Sequence, residues 1–415
     1  MRGAAFVSVV LFLLLLAPCA MTHAQRHSKA TDQVGGPSAA LHNQPDEQCR
    51  YPKSGARLDF MFEIPYEVRE TSGLAFHDGK LLTHNDSGHK PVIYALSATD
   101  GKILQRIRLS NAVNVDWEEL AMDDQYLYIG DFGNNAGKRR EFQIYRIALA
   151  SIPNSGDTTV LADTITFTYP DQPYDLPYLA HNYDCEAMIA TADGLFLFSK
   201  NWADGHTWLY KLPSQPGSYE AQLVSRFNSR GLVTGADYQP ETGLLVLVGY
   251  VNKTWTPFVW VFGDARPDDF FAGTKIRLNL TGLVTNQIEA VVFTAPGQVV
   301  ITSEKSKTAA ARAFSFNVNN WVASAESNSN ASFKPCQKVL NIARADNGYT
   351  FEFKKKQKQF ITVEFFNQED ESCWRSTISP CRNNRSLFVP ATDLKSVPSS
   401  VLIATKKYKT QCPLP

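Results

Sequence analysis

The sequence predicts an all-β chain, a five-bladed β-propeller closed by an N-terminal strand and followed by a small C-terminal β module. Three observations carry this. Five times a Ser, Gly or Glu ahead of a small apolar pair starts a run of hydrophobic alternation: Ser72-Gly73-Leu74-Ala75, Glu118-Glu119-Leu120-Ala121, Glu186-Ala187-Met188-Ile189, Gly235-Ala236-Asp237-Tyr238 and Glu289-Ala290-Val291-Val292. The starts are 46, 68, 49 and 54 residues apart, close to the length of one four-stranded blade. Between residue 57 and about 321 the apolar segments are short, β-branched or aromatic, and no long stretch has helical periodicity.

In chain order, Met1-Arg2, the apolar stretch 4–17 and the small-residue site Thr22-His23-Ala24 predict a secretory signal peptide over 1–24. This places the protein outside the cytoplasm, secreted, periplasmic or at the cell surface. No later stretch is long and apolar enough to predict a membrane span. Residues 25–56 hold few apolar side chains and are expected to form a disordered leader.

The propeller is expected over 57–322. Its first unit turns at Asp78-Gly79, its second at Asp123-Asp124, its third at Asp193-Gly194, its fourth at Glu241-Thr242-Gly243 and its fifth at Pro296-Gly297. An outermost strand is legible after the first unit as 103–109, whereas after the fifth the chain enters an Asn- and Ser-rich linker. The alternating segment 58–64 would supply the missing outer strand and remove an open edge. Six blades would require the insertion 146–184 to hide one, and it holds only one or two strand-like runs, such as 165–169. Residues 335–415 alternate again and suit a small sandwich or a docked appendage.

Outside the signal, six cysteines remain: Cys49, Cys185, Cys336, Cys373, Cys381 and Cys412. An even number in an exported chain suggests disulfides, although Cys185, inside a strand start, reads as a buried free thiol. Lys+Arg and Asp+Glu both number 41, and no basic block is large enough to predict a nucleic-acid partner.

In a propeller the inner strands begin beside a common channel, so Ser72, Glu118, Glu186, Gly235 and Glu289 are expected to form one ring. Three converging carboxylates repel one another and call for a cation. Ser72, Glu118, Glu186 and Glu289 are therefore candidate metal ligands, and oxygen donors in an exported chain favour Ca²⁺. In the alternative, the glutamates bind strand-start amides or pair with Arg. The ends of the second strands give a further ring, with Asp86, Asp131 and Glu304 as candidate catalytic carboxylates. His84, Arg140, Asp184, Lys200, Arg230, Asp237 and Lys305 are candidate ligand-binding residues at the channel mouth. The chain has no Gly-x-Ser-x-Gly elbow, no His-Glu-x-x-His helix and no phosphate-binding Gly loop.

The segments Thr83-His84-Asn85-Asp86-Ser87-Gly88, Val115-Asp116-Trp117-Glu118-Glu119-Leu120-Ala121 and Tyr128-Ile129-Gly130-Asp131-Phe132-Gly133-Asn134-Asn135 resemble a family of exported bacterial β-propeller proteins of unassigned function. The resemblance spans about 70–305 and implies export and a propeller, with no activity. Ser72, Glu118, Glu186 and Ser303-Glu304 also resemble, more faintly, the soluble calcium-activated apyrases. Those are five-bladed propellers with a channel calcium that hydrolyse nucleoside di- and triphosphates. Gly235 departs from that pattern, as does the lack of an Arg-rich stretch after the third unit. Together these readings lead to a calcium-binding propeller that takes a small anionic or sugar-like molecule at its mouth. Hydrolysis by a phosphohydrolase or esterase chemistry is one version; a non-catalytic scaffold for a surface polymer or a protein partner is the rival.

Overall fold

The computed structural model describes residues 40–41, 58–271, 273–280, 283, 287–307 and 309–319, with further stretches between 332 and 414. The expected signal peptide and most of the expected leader lie outside the described residues. Two strands precede the repeats, β1 (Ala40–Leu41) and β2 (Asp59–Glu63). The first antiparallel meander is β3 (Thr71–His77), β4 (Lys80–Asn85), β5 (Val92–Ser97) and β6 (Ile103–Leu109). The second is β7 (Trp117–Met122), β8 (Tyr126–Asp131), β9 (Phe142–Ala148) and, beyond a short β10 (Thr158–Val160), β11 (Asp163–Thr168).

The third is β12 (Cys185–Thr191), β13 (Gly194–Ser199), β14 (Thr207–Leu212) and, after β15 (Gly217–Glu220), β16 (Gln222–Phe227). The fourth is β17 (Leu232–Gln239), β18 (Leu244–Val251), β19 (Thr256–Gly263) and β20 (Gly273–Asn279). The fifth has β21 (Ile288–Ala295), β22 (Gln298–Ser303) and β23 (Arg312–Asn317), and its fourth strand is β2. Asp59 lies opposite Ser315 and Glu63 opposite Arg312, so the segment ahead of the repeats completes the last of them.

The hairpins follow local chemistry. Asp78 and Gly79 take φ of 47° and 73°, the left-handed pair that a two-residue turn needs to match strand twist. Asp123 accepts the N–H groups of Gln125 and Tyr126 through one carboxylate oxygen and closes the turn between β7 and β8.

The first strands of the meanders adjoin in a cycle: β3 beside β7, β7 beside β12, β12 beside β17, β17 beside β21, and β21 beside β3. A hydrophobic core fills each gap between successive sheets. Tyr128, Phe142 and Phe167 meet Met188, Leu197 and Tyr210 between the second and third, for example, and Phe62, Leu74 and Leu81 meet Ala290, Val292 and Val300 between the fifth and first. Each such large apolar side chain contributes about 1.5–3 kcal/mol on burial, so the stacking of sheets, more than any single sheet, holds the chain.

Outer edges are covered by strands from elsewhere. β10 lies parallel on β6, β15 on β11 and β1 on β16, and each leaves fewer backbone groups open to pairing with another chain. Two residues of the expected disordered leader therefore belong to a sheet. The insertion 146–184 supplies no blade of its own: β11 completes the second meander and β10 caps the first.

The C-terminal strands are β24 (Ser332–Phe333), β25 (Leu340–Ala345), β26 (Gly348–Phe353), β27 (Ile361–Phe366), β28 (Ser372–Ile378), β29 (Ser386–Pro390), β30 (Ser400–Ala404) and β31 (Tyr408–Pro413). Among the described residues β25, β26 and β29 make one sheet, and its Phe351, Phe353 and Val389 pack against Val363, Phe365, Val401 and Ile403 of a second. That second sheet continues the fourth meander, because β28 pairs in parallel with β20 at Gly273 and Thr274. Cys185 is a buried free thiol, as the sequence suggested. The side chains of Cys49, Cys336, Cys373 and Cys381 lie outside the described residues, and with them the expected disulfide pairings.

Candidate functional site

Four of the five first strands carry a one-residue register shift near their start, and the first carries a wider one. Pairing skips Glu118 between Trp117 and Glu119, Glu186 between Cys185 and Ala187, Thr234 between Val233 and Gly235, and Glu289 between Ile288 and Ala290. In the first meander the shift falls between Ser72 and Ala75. A bulge leaves the extra residue unpaired and re-aims its side chain. Here it turns Glu118, Glu186 and Glu289 out of the sheets and into one cavity of about 210 Å³.

Ser72 also lines this cavity, its hydroxyl donating to the Glu118 carbonyl at 2.8 Å. The fourth position differs from the sequence reading. Thr234, not Gly235, is the bulged residue, and its hydroxyl donates to the Ile288 carbonyl at 2.6 Å. Gly235 is instead packed against β21, where a Cβ would come within 2.9 Å of the Glu289 carbonyl oxygen.

The ends of the second strands supply the next layer. Asp86, Lys200, Tyr250 and Glu304 line the cavity, and the backbone N–H groups of Asp86, Lys200 and Glu304 donate to Glu70, Asp184 and Gln287. In the second meander the equivalent donor is Gly133, to the Asp116 carbonyl. Asp131 is therefore out of step, and its carboxylate faces away from the cavity. It binds Arg139 at 2.9 Å and accepts the Asp116 N–H at 3.1 Å, which makes it the support of the loop before β7 and not a catalytic group.

Other expected mouth residues also have structural partners. His84 is fully buried, edge-on to Trp117, with Nδ1 on the Asn85 carbonyl; burial holds it neutral by lowering its pKa to about 4. Arg140 binds the Gln172 and Tyr174 carbonyls and covers the Tyr174 ring. Asp237 accepts the N–H of Phe293 at 2.6 Å and so ties β17 to β21. Arg230 occupies the link before β17, with its carbonyl bound by Arg277, and Lys305 covers the Tyr66 ring. Neither lines the cavity. Arg140, Arg230 and Lys305 sit in turns or links, whose local course strand alignment does not encode.

Asp184 acts from behind the wall. Its buried carboxylate accepts the Asn134 N–H at 2.6 Å and the indole N–H of Trp202 at 2.8 Å, and so orients a ring that lines the cavity. Lys200 is the cationic side chain among the described lining residues. It pairs with Glu186 and lies 4.9 Å from the Trp202 ring centroid and 5.3 Å from that of Tyr250. Trp255 stacks on Tyr250 at 4.9 Å, and Tyr178 completes an aromatic rim.

Electrostatically the cavity is overloaded with acid. Burial and neighbouring carboxylates push Asp116 up to about 7 and Glu304 up to about 8. Glu118 and Glu289 are driven well above the ordinary carboxylate range by the same two causes. Burial likewise raises Glu186, with Lys200 pulling the other way. Carboxylate oxygens of Asp86, Asp116 and Glu118 all lie within 4.8 Å of one another, which sets Asp116 beside two of the lining acids. Sequence reasoning passed over Glu119. Its buried carboxylate crosses the hub and accepts N–H groups from Leu74 at 3.3 Å, Leu120 at 3.0 Å and Ala236 at 3.0 Å. The doublet Glu118-Glu119 was the available signal.

No family model matches the chain, and no curated protein does. Several solved structures align with the chain at low similarity. One is the exo-β-1,3-galactanase from Phanerochaete chrysosporium with galactose, at TM-score 0.42 and 8% identity over 86% of this chain and 98% of that one. A hypothetical protein from Leishmania major aligns at TM-score 0.38 and 11% identity over 63% of this chain and 90% of its own. The mannose phosphorylase from Leishmania mexicana, in complex with a phosphate ion, aligns at 0.37 and 11% over 64% and 91%. Likenesses of this size carry no functional inference.

Proposed function

We propose that the five meanders are the blades of an exported five-bladed β-propeller, closed by β2, whose channel mouth binds a small polyhydroxylated, sugar-like molecule. The supporting observation is the lining of the cavity. Carboxylates of Asp86, Glu118, Glu186, Glu289 and Glu304 line one cavity together with the aromatic rings of Tyr178, Trp202, Tyr250 and Trp255. Sugars present apolar C–H faces that pack on such rings and hydroxyls that donate to such carboxylates. The charge balance disfavours an anionic ligand, since five acids face one lysine. The same excess calls for a cation, and the all-oxygen donor set suits Ca²⁺.

A hydrolytic version draws on one further observation. Glu304, pushed up to about 8 by burial and by Asp86 and Glu70, would carry a proton at neutral pH and act as general acid beside Asp86. Titration calorimetry with a panel of neutral mono- and oligosaccharides tests the reading. We expect binding that Trp202→Ala weakens at least about ten-fold, the loss of roughly 1.4 kcal/mol, in line with a stacking contact in a preformed site. Turnover of any bound glycoside is expected to vanish in Glu304→Gln while binding persists. Silence across the neutral sugars, or binding only of phosphate esters, would reject this ligand class; binding without turnover would leave the scaffold reading.

A further inference from the structure

We propose that the cation sits off the axis, at the boundary of the first and second meanders, in a hard divalent-cation site built from Asp86, Asp116 and Glu118 beneath Gly133. The proposal deepens the channel-cation part of the function above and rests on that part. It replaces the axial set read from the sequence, Ser72, Glu118, Glu186 and Glu289.

Three observations converge on it. The oxygens of the three carboxylates lie within 4.8 Å of one another, a spacing that one ion can bridge from its centre. Glu118 is only 5% exposed, yet its carboxylate has no hydrogen-bond donor and no cationic partner among the described residues, while it faces the cavity. A buried anion in that condition is costly unless something positive reaches it. Gly133 supplies the space. A Cβ built on it would collide with Oε1 of Glu118 and Oδ2 of Asp116, so the missing side chain is what lets the two carboxylates close on a common point.

The axial alternative is weaker on the same grounds. Glu186 is already neutralised by Lys200, and Glu289 accepts the Gln287 amide at 3.0 Å. Arg139, the nearest guanidinium to Asp116, is held by Asp131 and by the Gly133 and Asp131 carbonyls, so it does not fill the site. Carboxylate oxygens with no His or Cys among them select Ca²⁺, Mg²⁺ or Mn²⁺ over zinc or copper.

Calorimetric titration of the full chain with CaCl₂ alone, after chelator treatment, tests the assignment. One calcium per chain is expected. Asp116→Asn and Gly133→Ala should each weaken it by at least about ten-fold, since even outer partners of metal ligands cost that much. The methyl of Gly133→Ala meets the Glu118 and Asp116 carboxyl groups and no backbone among its nearest atoms, and a wild-type melting curve in chelator checks that the variant folds. Glu289→Gln should keep wild-type affinity. Calcium affinity lost in Glu289→Gln but kept in Asp116→Asn would overturn the location, and absence of calcium binding in the unmodified protein would overturn the site outright. Sugar binding is measured separately, so either result leaves the ligand reading distinguishable.

Discussion

At the scale of single residues, chemistry at the cavity is decided by which side of a strand a group occupies. Asp131 and Gly133 differ by two positions, yet one carboxylate holds a loop through Arg139 while the other position, without a side chain, opens a gap between two acids. His84 illustrates the same point. Its place just ahead of Asn85 and Asp86, at the end of a second strand, suggested a ligand-binding imidazole, but burial against Trp117 leaves it a neutral core residue. NMR titration of the ring should accordingly find His84 unprotonated until about pH 4, well below the ordinary 6.5. Protonation near pH 6.5 would mean that the ring is reached by water.

At the scale of elements, the strand-start bulge is the device that converts a repeat into a site. An uninterrupted strand would keep period two, and residues such as Glu118 and Glu186 would lie along a sheet face against the core shared with the neighbouring sheet. The bulge instead leaves the regular residues, such as Trp117, Leu120, Cys185 and Met188, in the apolar cores and turns one residue per strand toward the hub. Glu119, next to the bulge in β7, then joins elements by accepting N–H groups from β3, β7 and β17. Glu119→Ala would orphan three buried donors at about 1–3 kcal/mol each, so a loss of at least about 3 kcal/mol in denaturant unfolding is expected. Glu119→Gln should cost less, because its amide oxygen still accepts the two donors that share Oε1. Equal stability of all three proteins would contradict the role.

At the scale of the whole molecule, burying many acids at a shared hub makes stability depend on protons and cations. Glu304, raised from 4.5 to about 8, binds more protons folded than unfolded. Its contribution is complete below pH 4.5 and declines as pH rises toward 8, the reverse of an ordinary paired carboxylate. With chelator present, the melting temperature is expected to fall across that window, and added calcium to flatten the decline. A melting temperature that rises from pH 5 to 8 in chelator would mean that Glu304 is ionised and paired in the folded state.

Much of this organisation was legible in the sequence because it repeats. Spacing of turn residues and alternating apolar runs located the meanders, the N-terminal strand that completes the fifth, and Ser72 and the acids from Asp86 to Glu304 that reach the cavity. Those signals are local and periodic, so residues a few places apart suffice to state them. What only the tertiary structure decided depends on register between segments far apart in the chain: that Thr234 takes the place expected of Gly235, that Gly133 rather than Asp131 faces the hub, that β10, β15 and β28 cap the edges of other meanders, and that Asp116 meets Asp86 and Glu118. A single extra residue in a strand reverses which face its neighbours take, and composition holds no record of where that residue falls.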